Sequence, residues 1–75
     1  MYEKLKEILT DEMSINPADI SMDAEFIGDL GFNSLELADL VVICEEKFGV
    51  EFDDEVLPTM LTVRDVVNYL ELNAE

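Results

Sequence analysis

Apolar side chains return at three- and four-residue intervals in three stretches of the chain, the spacing that gathers them on one side of an α-helix. In the first, Tyr2, Leu5, Ile8, Leu9 and Met13 form the stripe, with Glu3, Lys4, Lys6, Glu7, Asp11 and Glu12 mostly opposite. In the second, Leu37, Leu40, Val41, Cys44 and Phe48 follow the Gly31 turn, and Gly49 supplies the stop. In the third, Val63, Val66, Val67 and Leu70 make the stripe, Thr62 stands where a cap is needed, and Asp65 can reach back to it. Between the second and third lies "EFDDEVLPTML". Asp53 or Asp54 could cap a short helix there, but Pro58 has no N–H and limits it to one or two turns, partly 3₁₀. No alternating run suggests a sheet. The pattern predicts an all-α fold: a small four-helix bundle with a long first crossover and a short, irregular third helix, in one domain over residues 1–75.

The crossover from Ser14 to Asn33 would count against this assignment if it were featureless. It is not. Ile15, Ile20, Phe26, Ile27, Leu30 and Phe32 can anchor it across the bundle. Asn16-Pro17-Ala18-Asp19 reads as a capped turn with proline at its first helical position.

Charge narrows the partners. Nineteen acidic side chains against four basic ones give a net charge of −15, and phosphate contacts need clustered Lys and Arg, so nucleic acid is excluded as a partner. An anionic membrane surface is disfavoured on the same ground, and no apolar run approaches the ~20 residues that span a bilayer. Proteins with basic patches are the partners such a charge steers toward. The opening Met1-Tyr2-Glu3-Lys4 is not that of a signal peptide, and one cysteine fits a reducing compartment, so a cytoplasmic monomer is expected.

Catalytic chemistry finds little to work with. The chain has no histidine and a single cysteine on a buried stripe, so nucleophilic triads and zinc sites lack their ligands. The three glycines are scattered, which rules out a phosphate-cradling loop. A calcium loop started at Asp19 has Ser21 and Asp23 in the next two ligand positions. It then fails, with Ala24 where glycine is required and Leu30 where a bidentate glutamate is required. No metal site is expected beyond weak neutralisation at Asp53-Asp54-Glu55. Cys44, Met13 and Met60 read as core.

What remains is Ser34, at the head of the second helix in "DLGFNSLELADL". Asn33 is itself a strong N-cap residue, and Glu36 follows three positions on. If Asn33 caps, Ser34 is the first helical residue, with a spare, solvent-facing hydroxyl. The positive end of the helix suits a phosphate ester on that oxygen.

At these residues the sequence resembles the acyl carrier protein family. The likeness extends over nearly the whole chain: the first-helix stripe, "DAEFIGDLGFNSLELADLVVICEEKFGVEF", a short third helix and "TVRDVVNYL" as the fourth. The resemblance implies a carrier rather than an enzyme. A phosphopantetheinyl transferase would attach 4′-phosphopantetheine from coenzyme A to Ser34, and the thiol of that arm would hold acyl groups as thioesters. Leu35, Glu36, Asp39, Val42, Glu45 and Glu46, with Asn33, match the family's recognition face for acyl-processing enzymes with basic patches. Cys44, Phe52, Leu57 and Met60 match the positions that line its acyl cavity. One departure stands out: Asn33 occupies the place of the family's usual aspartate, which keeps a cap but removes a charge.

The resemblance leaves the pathway open among fatty-acid, lipid and polyketide synthesis, and an amino-acyl (peptidyl-type) carrier shares the same features. An unmodified acidic adaptor with the same bundle is the alternative from another class. A divalent-ion-binding protein is a third, weakened by the failed calcium loop.

Overall fold

A computed structural model describes residues 1–73. Its elements, in chain order, are α1 (Tyr2–Asp11), a 3₁₀ turn (Pro17–Asp19), α2 (Ser34–Phe48), a second 3₁₀ turn (Leu57–Thr59) and α3 (Val63–Asn73). All three helices present the stripes expected of them, except that α1 stops at Asp11 and leaves Met13 beyond its end. Leu5, Ile8 and Leu9 of α1, Leu40, Val41 and Cys44 of α2, and Val63, Val66, Val67 and Leu70 of α3 are buried in one core. Met13 lies partly buried against that core, and Met60 is within it. No helix among the described residues is long and apolar enough to cross a membrane.

The expected third helix is reduced to a turn ending in one 3₁₀ unit. The amides of Val56 and Leu57 both donate to the Asp53 carbonyl, at 3.0 Å each. No side chain caps the 3₁₀ unit, so neither Asp53 nor Asp54 plays the capping part expected of it. Pro58 within the unit has no N–H to give, which prevents an α-helical ladder from growing through it. The bundle is therefore three α-helices with a 3₁₀ turn in the third position.

Beyond α1 the chain turns back over the helix end: the Ile15 amide donates to the Leu9 carbonyl at 3.0 Å, and Ser14 takes the left-handed conformation (φ +57°) that glycine more often fills. The 3₁₀ turn that follows is capped as anticipated, Asn16 Oδ1 accepting from the Ala18 amide at 2.9 Å. Ile20, Phe26 and Phe32 then enter the core, and Ile15 and Leu30 pack partly against it. Ile27 does not. It is 58% exposed, because the turn that buries Phe26 directs its neighbour outward.

The crossover is also stitched to α3. The Phe26 amide donates to the Leu61 carbonyl (3.0 Å), Val63 to Ala24 (3.0 Å) and Arg64 to Met22 (2.8 Å). Arg64 adds a 2.8 Å ion pair with Asp23. These contacts account for a twenty-residue connection that is almost free of helix.

Candidate functional site

The start of α2 is built by the turn before it. Asp29 and Leu30 donate to the Glu25 carbonyl at 2.9 and 3.0 Å, while Asp29 Oδ2 accepts from the Glu25 amide at 2.8 Å. The turn closes with the Phe32 amide on the Phe26 carbonyl at 2.8 Å. That closure requires the reversal at Gly31, whose φ of +74° lies in the region that favours glycine. Phe26 and Phe32 pack together in the core with ring centroids 5.6 Å apart, which anchors both ends of the turn.

Asn33 then caps the helix. Its Oδ1 accepts from the Glu36 amide at 2.8 Å, and Glu36 Oε1 accepts from the Asn33 amide at 3.2 Å, a complete capping box. An amide oxygen fills the acceptor role as an aspartate oxygen would. With Leu37 N–H donating to the Asn33 carbonyl, the amides of Ser34 and Leu35 are the two left for an outside acceptor. Ser34 is exposed, is the first residue of the helix, and takes no part in the capping bonds. An anionic ester on its oxygen would therefore meet the positive end of α2 and two N–H donors.

Leu35, Asp39, Val42 and Glu46 run along one exposed side of α2, at i, i+4, i+7 and i+11, with Leu35 77% and Val42 51% exposed. Asn33 and Glu36 are exposed at its start. Glu45 is placed differently. It is half-buried, and its Oε2 accepts from the Phe52 amide at 2.8 Å, holding the segment after Gly49 against the helix. Gly49, at φ +67°, makes the reversal that brings Phe52 back.

The four residues expected to line a cavity are not gathered around one opening. Cys44 and Phe52 lie in the core, and Phe52 stacks near Tyr69 with centroids 4.6 Å apart. Leu57 lines a cleft of about 230 Å³ together with Ser34, Leu37 and Ala38. Met60 lines a separate cleft of about 290 Å³ with Phe26, Ile27, Leu37 and Leu61. Neither cleft is legible in the sequence, because the 57–61 segment reaches α2 only through tertiary packing. Burial, and secondarily the Glu45 carboxylate, push the Cys44 thiol from its ordinary 9.0 up to about 12. The buried thiol is thereby kept protonated near neutral pH and is a poor nucleophile. Among the described residues, no three side chains of the His, Cys, Asp and Glu types converge as a metal site.

Residues 3–70 match the family described as "Phosphopantetheine attachment site". An acyl carrier protein of Clostridium perfringens is 41% identical over 75 residues, covering 100% of this chain and 99% of the relative. One from Clostridium acetobutylicum is 39% identical over 75 residues (100% and 97%), and one from Helicobacter acinonychis 37% over 73 residues (97% and 94%). With the family's domain matched over most of the sequence and such relatives aligned end to end, this chain belongs to the acyl carrier protein family.

Proposed function

We propose that Ser34 is the residue esterified by 4′-phosphopantetheine, and that residues 1–75 form a single carrier domain that takes acyl groups from enzyme to enzyme without catalysing their chemistry. The arm supplies the thiol on which cargo is held as a thioester. Ser34 would provide the ester oxygen, and the Ser34 and Leu35 amides would be the donors available to the phosphate on it. The observation that carries this reading is a spare hydroxyl at a helix start already capped by its neighbours.

Leu35, Asp39, Val42 and Glu46, with Asn33 and Glu36, form the face offered to partners, a phosphopantetheinyl transferase and acyl-processing enzymes with basic patches. Exposed ion pairs contribute only ~0.2–1 kcal/mol each, so these encounters are fast, weak and salt-sensitive, which suits a carrier that must let go. Glu45 adds charge to this face but spends one oxygen on Phe52. Leu57 and Met60 are the two of the four suggested cavity residues that reach an opening. A discrete cytoplasmic monomer serving fatty-acid or related lipid or polyketide synthesis fits these features, and the mass of a copurifying thioester would separate it from an amino-acyl carrier.

The deciding experiment is incubation with coenzyme A and a broad-specificity phosphopantetheinyl transferase. One cofactor mass is expected on the protein and none on Ser34→Ala. No gain under conditions that load a control carrier would favour the unmodified adaptor, for which Asn33 is the supporting observation.

A further inference from the structure

Four asparagines, Asn16, Asn33, Asn68 and Asn73, carry side-chain amides, and their backbone settings differ. Asn16 precedes Pro17, which has no N–H. Asn68 lies inside α3, where the Tyr69 amide belongs to the helical ladder. Asn73 ties its Nδ2 to the Tyr69 carbonyl at 2.8 Å. Asn33 is set apart. The residue after it, Ser34, is the first of α2, so its amide has no partner within the helix. Asn33 itself is exposed and extended, with φ −100° and ψ 178°, so no helical ladder holds its backbone. Its Oδ1 accepts from the Glu36 amide at 2.8 Å, a bond that polarises the side-chain carbonyl. The same donor is in place to stabilise negative charge growing on that oxygen when a nucleophile adds to Cγ.

We propose that Asn33 is a self-modifying site: the Ser34 amide nitrogen attacks Asn33 Cγ, and the side chain ends as a carboxylate. As the N–Cγ bond forms, the Ser34 N–H gives its proton to solvent base. The Cγ–Nδ2 bond then breaks, and Nδ2 takes a proton from water and leaves as ammonia. Water opens the cyclic imide that remains. Addition at Cγ restores the ordinary peptide bond and yields aspartate. Addition at the main-chain carbonyl carbon yields isoaspartate, whose backbone is longer by a methylene. The aspartate keeps an acceptor for the Glu36 amide and gains charge at the positive end of α2, whereas the isoaspartate moves the acceptor out of the cap. Either product sets a negative charge beside the Ser34 hydroxyl, at the one place where the sequence lacks the family's usual aspartate. The chemistry needs only the chain and water, and no loading of Ser34.

Oxygen labelling tests this on the full chain. The protein is incubated for days in heavy-oxygen water at pH 8 and at pH 6, digested in ordinary water and mapped by mass spectrometry. Heavy oxygen should enter first at residue 33, several-fold faster than at Asn68 or Asn73. It should enter faster at pH 8, where base takes the Ser34 amide proton. Ser34→Pro removes the attacking N–H at a position that suits proline, the first of a helix after an extended residue, and should abolish the labelling. Ser34→Val keeps the N–H but crowds it with a β-branched side chain, and should slow the labelling several-fold. In urea Asn68 should gain on residue 33, because unfolding frees the Tyr69 amide. A residue 33 that labels only in urea, no faster than Asn68 in the folded chain, or equally in Ser34→Pro would overturn the proposal. Enzymatic loading of Ser34 is a separate measurement, and its failure would count only against the function proposed above.

Discussion

Glu45 and Phe52 are joined across the end of α2: the Phe52 amide donates to Glu45 Oε2 at 2.8 Å, bridging seven residues and the Gly49 reversal. The bond fixes where the chain goes after α2, and it draws one carboxylate of an acidic helix inward. Glu45→Ala should lower stability by about 1 kcal/mol, less than the ~1.5–3 kcal/mol of a fully buried bond to a charged group, because the pair is only partly covered. Thermal unfolding would show a drop of several degrees, as ~4–8 °C accompany each kcal/mol in a domain of this size. Glu46→Ala, with no such bond, should leave the midpoint nearly unchanged.

Asn33 can be tested in the same way. Asn33→Ala removes the acceptor for the Glu36 amide and should cost about 1 kcal/mol in urea unfolding. Asn33→Asp keeps that acceptor and adds negative charge at the positive end of α2, so it should be neutral or slightly stabilising. If stability is equal but the rate of modification at Ser34 rises in Asn33→Asp, the lost charge acts through the transferase and not through the fold.

Cys44 sets a limit at high pH. Its thiol is pushed up to about 12 in the folded chain from an ordinary 9.0, so the folded state holds its proton longer than the unfolded state does. Stability is therefore unaffected by this group below pH 9 and falls as pH rises from there toward 12. Unfolding midpoints measured across that range should decline more in the parent than in Cys44→Ala, after allowing for the cavity the latter creates. In native protein at pH 8 the thiol should resist alkylation, and it should react fully once urea unfolds the chain.

Self-repulsion makes a fourth expectation. The net charge is −15, and two ion pairs, Arg64–Asp23 and the N-terminus with Glu71, are formed among the described residues. Raising salt from low levels past 0.1 M, where the screening length is ~10 Å, should raise the melting temperature, and millimolar magnesium should do so at lower ionic strength. A midpoint indifferent to both would show that the carboxylates are already far enough apart.

The parts of this structure that could be read from the sequence are those set by neighbours in the chain. The stripes of α1, α2 and α3 follow from residues three and four apart, and the Asn33–Glu36 and Thr62–Asp65 boxes from residues three apart. Pro58 announced that the third element would be irregular, though not that a single 3₁₀ unit would replace a helix. What escaped depends on approach between distant segments. Glu45 reads as one more solvent-facing acid until the Gly49 reversal sets Phe52 beside it. Ile27 reads as an anchor until the closure of Phe32 on Phe26 points it outward. The position of Ser34 was legible from its capping neighbours and from the family resemblance. The clefts flanking Leu37 were not, because they are spaces between elements and no residue spells them.

The backbone bonds from Met22, Ala24 and Phe26 to the start of α3 give the crossover a mechanical consequence. They tie the crossover to the segment entering α3 like the rungs of a short ladder, whereas the segment from Asp53 to Met60 is held by turn bonds among its own residues. A segment held only by its own turn bonds opens at lower free-energy cost than one pinned to a distant part of the chain. The wall of the Ser34 cleft formed by Leu57 and Pro58 should therefore lose its amide protection before the segment entering α3 does.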